Sequence, residues 1–94
     1  MQHDMYGFIK KVTELAGKYD FEVSAEGVGQ SVGEFYILMI KDAGVEVRIK
    51  AGRCIIRDIN GNSTQFEKLR SDEWEQESLD YIHAILKLAF QNNA

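Results

Sequence analysis

The spacing of apolar residues changes twice along this chain, and that limits the folds open to it. Between Met5 and Tyr19 the side chains Met5, Phe8, Ile9, Val12, Leu15, Ala16 and Tyr19 recur three and four residues apart. That is one face of a helix, an arc of roughly 120°. From Phe21 to Lys68 the period falls to two, the signature of half-buried strands. From Trp74 the helical period returns, with Leu79, Tyr81, Ile82, Ile85, Leu86, Leu88, Ala89 and Phe90 spread over an arc of roughly 200°. Such an arc is too wide for one sheet face, so this helix must also meet the first helix or another subunit. With connections this short, successive strands pair with their sequence neighbours. The reading is therefore α+β: an antiparallel meander of four or five strands flanked by an N-terminal and a C-terminal helix. The 94 residues suffice for one domain, 1–94, and leave no room for a second.

Local signals fill in this outline. Asp4 is placed to cap the first helix, and Ser71 or Asp72 the last, where Asp72, Glu73 and Glu75 meet the positive end of the helix dipole. Phe21, Val23 and Ala25 alternate with Glu22, Ser24 and Glu26 as a first strand, followed by a glycine-containing connection, Gly27 to Gly33. The next strand, Glu34 to Lys41, is apolar on both faces. Val45 to Lys50 alternates cleanly, and Asn60-Gly61-Asn62 is a hairpin signal. A two-residue loop at Ala51-Gly52 pairs Lys50 with Arg53, Ile49 with Cys54, Val47 with Ile56 and Glu46 with Arg57. A three-residue loop at Asp42 to Gly44 puts Phe35, Ile37 and Met39 on the inner face with Val45, Val47 and Ile49. A three-residue loop at Asn60 to Asn62 brings Phe66 opposite Ile56. A slip of one residue would invert a strand.

Composition narrows the function classes. The chain is 45% hydrophobic and 28% charged, as in ordinary globular domains, with a net charge of −4. That balance disfavours an obligate nucleic-acid coat protein. No apolar run approaches the ~20 residues of a membrane span, and no signal-peptide core follows Met-Gln-His-Asp. One cysteine, Cys54, provides neither a disulfide framework nor a cysteine zinc site. The expectation is a reduced, cytoplasmic domain.

Candidate chemistry is sparse. The glycine segment lacks the Gly-Lys-Ser/Thr ending of a phosphate loop and opens a strand rather than a helix, so it reads as a plain connection. His3 and His83 have no ligand partners at i+3 or i+4 and read as solvated. Cys54 falls on the inner face and reads as a small hydrophobe. Glu73, Glu77 and Asp80 fall at i, i+4 and i+7, a stripe suited to the helix dipole, to solubility, or to docking on a basic surface. No metal, cofactor or catalytic group of residues is assigned, and a small-molecule enzyme is the least favoured reading.

Two surfaces remain. Residues 71–94 carry five acids and one lysine, whereas residues 34–58 carry five basic side chains against four acids. In the expected register Arg48, Lys50, Arg53 and Arg57 share the outer sheet face with Tyr36, Leu38, Ile40 and Ile55. Should both helices cover the other face, this one becomes an apolar patch with a basic edge, of a kind that marks interaction sites. The function expected is thus non-enzymatic protein binding, as an inhibitor, adaptor or accessory subunit. The docking residues would be Tyr36, Arg48, Lys50, Arg53 and Arg57 on the sheet or Glu73, Glu77 and Asp80 on the helix. The partner is another protein, and the chain is expected to form a homodimer. The alternative is a nucleic-acid binder using the basic edge.

Overall fold

A computed structural model of the chain describes residues 5–30, 33–50 and 52–92. Helix α1 spans Met5–Gly17 and helix α2 spans Trp74–Asn92. Between them run β1 (Ser24–Gln30), β2 (Gly33–Ile40), β3 (Val45–Lys50), β4 (Arg53–Arg57) and β5 (Ser63–Glu67). The strands form one antiparallel sheet in the order β1-β2-β3-β4-β5. The α+β meander with two flanking helices is the expected architecture. Asp4, His3, the Ser31-Val32 tip of the glycine connection and Ala51 lie outside the described residues.

Both helices lie on the same side of the sheet. One cluster joins Phe8, Val12 and Ala16 of α1 to Trp74, Ile82 and Leu86 of α2, and to Leu38, Ile40, Val45, Val47, Ile49, Cys54 and Ile56 of the strands. All are between 0% and 3% exposed, so the apolar stripe of each helix and one sheet face remove one another from water. The wide arc of α2 is shared between the sheet, α1 and solvent. Phe8 stacks on Trp74 at 6.0 Å between ring centres, and Tyr81 lies against Phe66 of β5 at 5.7 Å. Leu88 and Phe90 stay exposed.

Helix α1 ends in a reverse turn that the alternation does not announce. Asp20 takes a left-handed conformation (φ 60°), its N–H donates to the Gly17 carbonyl, and the Phe21 N–H donates to the Ala16 carbonyl at 3.0 Å. These are the paired bonds of a Schellman cap. Phe21 is therefore buried as the apolar residue of the cap rather than as a strand residue, and β1 starts only at Ser24. The glycines expected to form a connection instead extend the strands: Gly27 pairs with Tyr36, Gly29 with Glu34 and Gln30 with Gly33.

The register of β3 on β4 is the expected one at every pair, from Lys50–Arg53 to Glu46–Arg57. That of β2 is not. Lys41 leaves the strand to open a 3-10 turn, Lys41–Ala43, closed by Gly44 at φ 66° with its N–H on the Lys41 carbonyl at 3.0 Å. The connection has four residues instead of three, Ile40 stands opposite Val45, and β2 is turned over. Leu38 and Ile40 enter the core, while Phe35, Ile37 and Met39 move to the outer face. The β4–β5 turn is also longer. Asp58 Oδ1 accepts the N–H groups of Asn60 and Asn62, and Phe66 stands opposite Cys54 rather than Ile56. A shift of two keeps Phe66 inside, as expected.

Candidate protein-docking face

With both helices on one side, the other side of the sheet is covered by no element of the described chain. Three ranks of residues cross it, fixed by the strand register. Phe35, Lys50, Arg53 and Glu67 form the first. Glu26, Ile37, Arg48, Ile55 and Gln65 form the second, and Ser24, Met39, Glu46, Arg57 and Ser63 the third. The apolar members Phe35, Ile37, Met39 and Ile55 are half-buried with no helix above them, whereas Arg48, Lys50, Arg53 and Arg57 are exposed. Long basic side chains cover apolar neighbours with their stems while their charges stay in water. The Lys50 ammonium illustrates this, 5.6 Å from the centre of the Phe35 ring.

Four cations and three carboxylates stand in these ranks, so the face is slightly positive in a chain of net charge −4. Some of the charge is answered locally. Arg48 Nε donates to Glu46 Oε1 at 2.6 Å, and Glu67 lies between Arg53 (3.6 Å) and Arg70 (3.3 Å). These pairs are exposed and contribute little to stability, though they hold the guanidinium groups in place. The face is not flat. Glu46, Arg48, Ile55, Arg57 and Ser63 line a depression of about 200 Å³. At the opposite end, Lys50, Gly52, Arg53, Glu67, Lys68, Leu69 and Asp72 line a broader one of about 660 Å³. Leu69 is 93% exposed there, a large apolar side chain in a turn between two charged neighbours. Its place in a run of polar residues with no periodicity gave no signal.

Of the docking residues expected from sequence, the structure brings Arg48, Lys50, Arg53 and Arg57 together on the bare face. Tyr36 is not among them. The longer turn after β2 puts it on the helix-covered face, where its hydroxyl donates to that of Tyr6 at 2.8 Å. Phe35 takes the aromatic position outside. The acidic stripe is divided as well. Glu73 precedes α2, its carbonyl accepting the Glu77 N–H, and both side chains are exposed. Asp80 instead accepts from Gln76 Nε2 at 2.9 Å in a cleft of about 230 Å³ between the helices. Lys11, Glu14 and Lys18 share that cleft, so its charges balance within the molecule.

The remaining candidates have structural partners. Cys54 is fully buried, and burial pushes its thiol up to about 12 despite a hydrogen bond with Ser78 that favours the thiolate. A thiol so protonated is no nucleophile near neutral pH. Ser78 donates to the Trp74 carbonyl at 2.7 Å and occupies a core position in the row Trp74, Ser78, Ile82, Leu86. His83 is not simply solvated, because its Nε2 lies 2.7 Å from the Tyr19 hydroxyl across the helix seam. Among the described residues no group of three or more His, Cys, Asp or Glu is placed to hold a metal ion. No described helix is long and apolar enough to cross a membrane. Comparison of the chain with protein-family models, curated proteins and solved structures finds no match.

Proposed function

We propose that this protein is a non-enzymatic binding module that docks through the bare face of its sheet onto an acidic, partly apolar surface of another protein. It would act as an inhibitor, adaptor or accessory subunit. The observation that carries this reading is the placement of both helices on one side. It leaves Phe35, Ile37, Met39 and Ile55 bordered by Arg48, Lys50, Arg53 and Arg57, with no helix or strand of the described residues above them. Apolar side chains amid arginines provide the desolvated contacts that dominate protein interfaces, and the cations steer an acidic partner. Two copies meeting face to face would set one slightly positive surface against another, which favours a different protein as the occupant of this face. Nucleic acid is less well served, since Arg48 and Arg53 already face carboxylates.

The test uses the tagged full chain as bait in nuclease-treated lysate of the source cells, followed by affinity measurement with the purified partner. Ile37→Glu combined with Ile55→Glu should weaken binding at least about tenfold, the loss expected of central apolar contacts. Glu77→Lys combined with Asp80→Lys should leave it unchanged. Binding that survives the first pair and fails with the second would move the site to α2. Recovery that depends on nucleic acid and falls steeply with salt would replace the reading with the nucleic-acid alternative.

A further inference from the structure

The turn between β4 and β5 carries the chain's one Asn-Gly step, Asn60-Gly61. In such a step the asparagine side-chain amide is open to attack by the following backbone nitrogen, because glycine has no Cβ to obstruct it. Both residues are exposed, and a Cβ on Gly61 would meet nothing within 4 Å, so a base and water can reach that nitrogen. Gly61 stands at φ +82°, in the left-handed region that closes a hairpin loop of this kind. The fold thus requires the glycine, and the reactive pair comes with it. Asp58 brackets the pair. Its Oδ1 accepts the Asn60 N–H at 2.9 Å and the Asn62 N–H at 3.0 Å. Its carbonyl accepts the Gly61 N–H at 3.0 Å, and its own N–H donates to the Asn62 carbonyl at 3.0 Å. The Gly61 nitrogen must therefore let go of Asp58 before it can lose its proton and reach Asn60 Cγ.

We propose that Asn60 is a self-modifying site, converted to aspartate and isoaspartate through a succinimide, and that Asp58 sets the rate by holding the turn shut. A base takes the Gly61 amide proton and the nitrogen bonds to Asn60 Cγ. The Cγ–Nδ2 bond breaks, and ammonia leaves with a proton returned to it. Water then opens the ring. Opening at Cγ leaves aspartate, and opening at the Asn60 carbonyl carbon leaves isoaspartate, in which the chain runs through Cβ and Cγ. In sum one water enters, one ammonia leaves, and nothing is oxidised or reduced. Either product adds a carboxylate to the loop closed by the Arg57–Ser63 pair, and isoaspartate also lengthens that loop by one backbone carbon. Loop length fixes hairpin register, so isoaspartate loosens the pairing at this end of β4 and β5. This inference is independent of what binds the bare sheet face.

The test holds the full chain folded at mildly alkaline pH for several weeks, followed by peptide mapping with mass spectrometry and isoaspartate detection. Asn60 should gain one mass unit before Asn62, Asn92 or Asn93 does. Asp58→Ala removes the side-chain acceptor and should speed conversion at least about fivefold, because the turn opens more readily. Asp58→Asn keeps an acceptor oxygen there and should stay within about twofold of wild type. Fluorescence of the core residue Trp74 shows that each variant is folded at the start. In concentrated urea the turn is gone, so wild type and Asp58→Ala should convert within about twofold of each other, and faster than folded wild type. An Asn60 that stays intact, or that converts later than another asparagine, would overturn the proposal. So would an Asp58→Ala chain no faster than wild type, an Asp58→Asn chain as fast as Asp58→Ala, or an Asp58→Ala acceleration that persists in urea.

Discussion

Replacing Leu38 by alanine and, separately, Ile37 by alanine measures which face of β2 is inside. Leu38 is 0% exposed, opposite Val47 and beneath the helices. Truncation removes three buried carbons, about 2.4 kcal/mol at ~0.8 kcal/mol each, and the unfilled cavity raises the total to about 3–4 kcal/mol. For 94 residues the whole folding free energy is on the order of 5–14 kcal/mol, so this one change removes a large part of it. Ile37 lies on the bare face, half-buried opposite Arg48, and its truncation should cost about 1 kcal/mol. The assay is urea unfolding followed by fluorescence of Trp74, which is itself packed in the core. In thermal scans, a loss of 3 kcal/mol should lower the melting temperature by about 12–24 °C. If Ile37→Ala costs as much as Leu38→Ala, or more, β2 has the opposite face inward and the composition of the bare face given above is wrong.

Two further predictions concern single sites. Gly44 has φ +66°, and a Cβ there would lie 2.8 Å from Ile59 Cβ. Gly44→Ala should therefore cost about 2 kcal/mol in urea unfolding, and Ile59→Gly should recover the steric part but not the backbone strain. Cys54 is raised from 9.0 to about 12 by burial, so the folded chain keeps a proton that the unfolded chain releases. The stability this contributes is complete below pH 9 and is lost as pH rises toward 12, at about 1.4 kcal/mol per unit. Unfolding curves compared with those of Cys54→Ala at pH 8 and above pH 9 should show the extra slope in wild type only.

Different parts of the fold were legible to different degrees, for physical reasons. The β3–β4 register could be read because Val45 to Lys50 alternates strictly and Glu46–Arg57 gives an outer charge pair. The six residues Phe35 to Ile40 are all apolar, so period two has nothing to select. Their orientation is set by the turn, where Lys41 and Gly44 build a 3-10 loop one residue longer than the three-residue loop expected. The glycines of β1 read as breakers, yet an edge strand next to an unbroken β2 tolerates them. The four cations of the docking face were legible because all lie on β3 and β4, the strands with unambiguous alternation. Tyr36 was misplaced with the rest of β2. Ser78 and the Tyr19–His83 contact depend on how the helices pack, which periodicity does not specify.

Nuclear magnetic resonance mapping of the isotope-labelled chain, titrated with the partner recovered from lysate, addresses docking through the bare face most directly. The expected shifts are at Phe35, Ile37, Met39, Arg48, Ile55 and Arg57, with the exposed side of α2 unmoved. Shifts concentrated at Glu73, Glu77 and Asp80, with the sheet face silent, would contradict it.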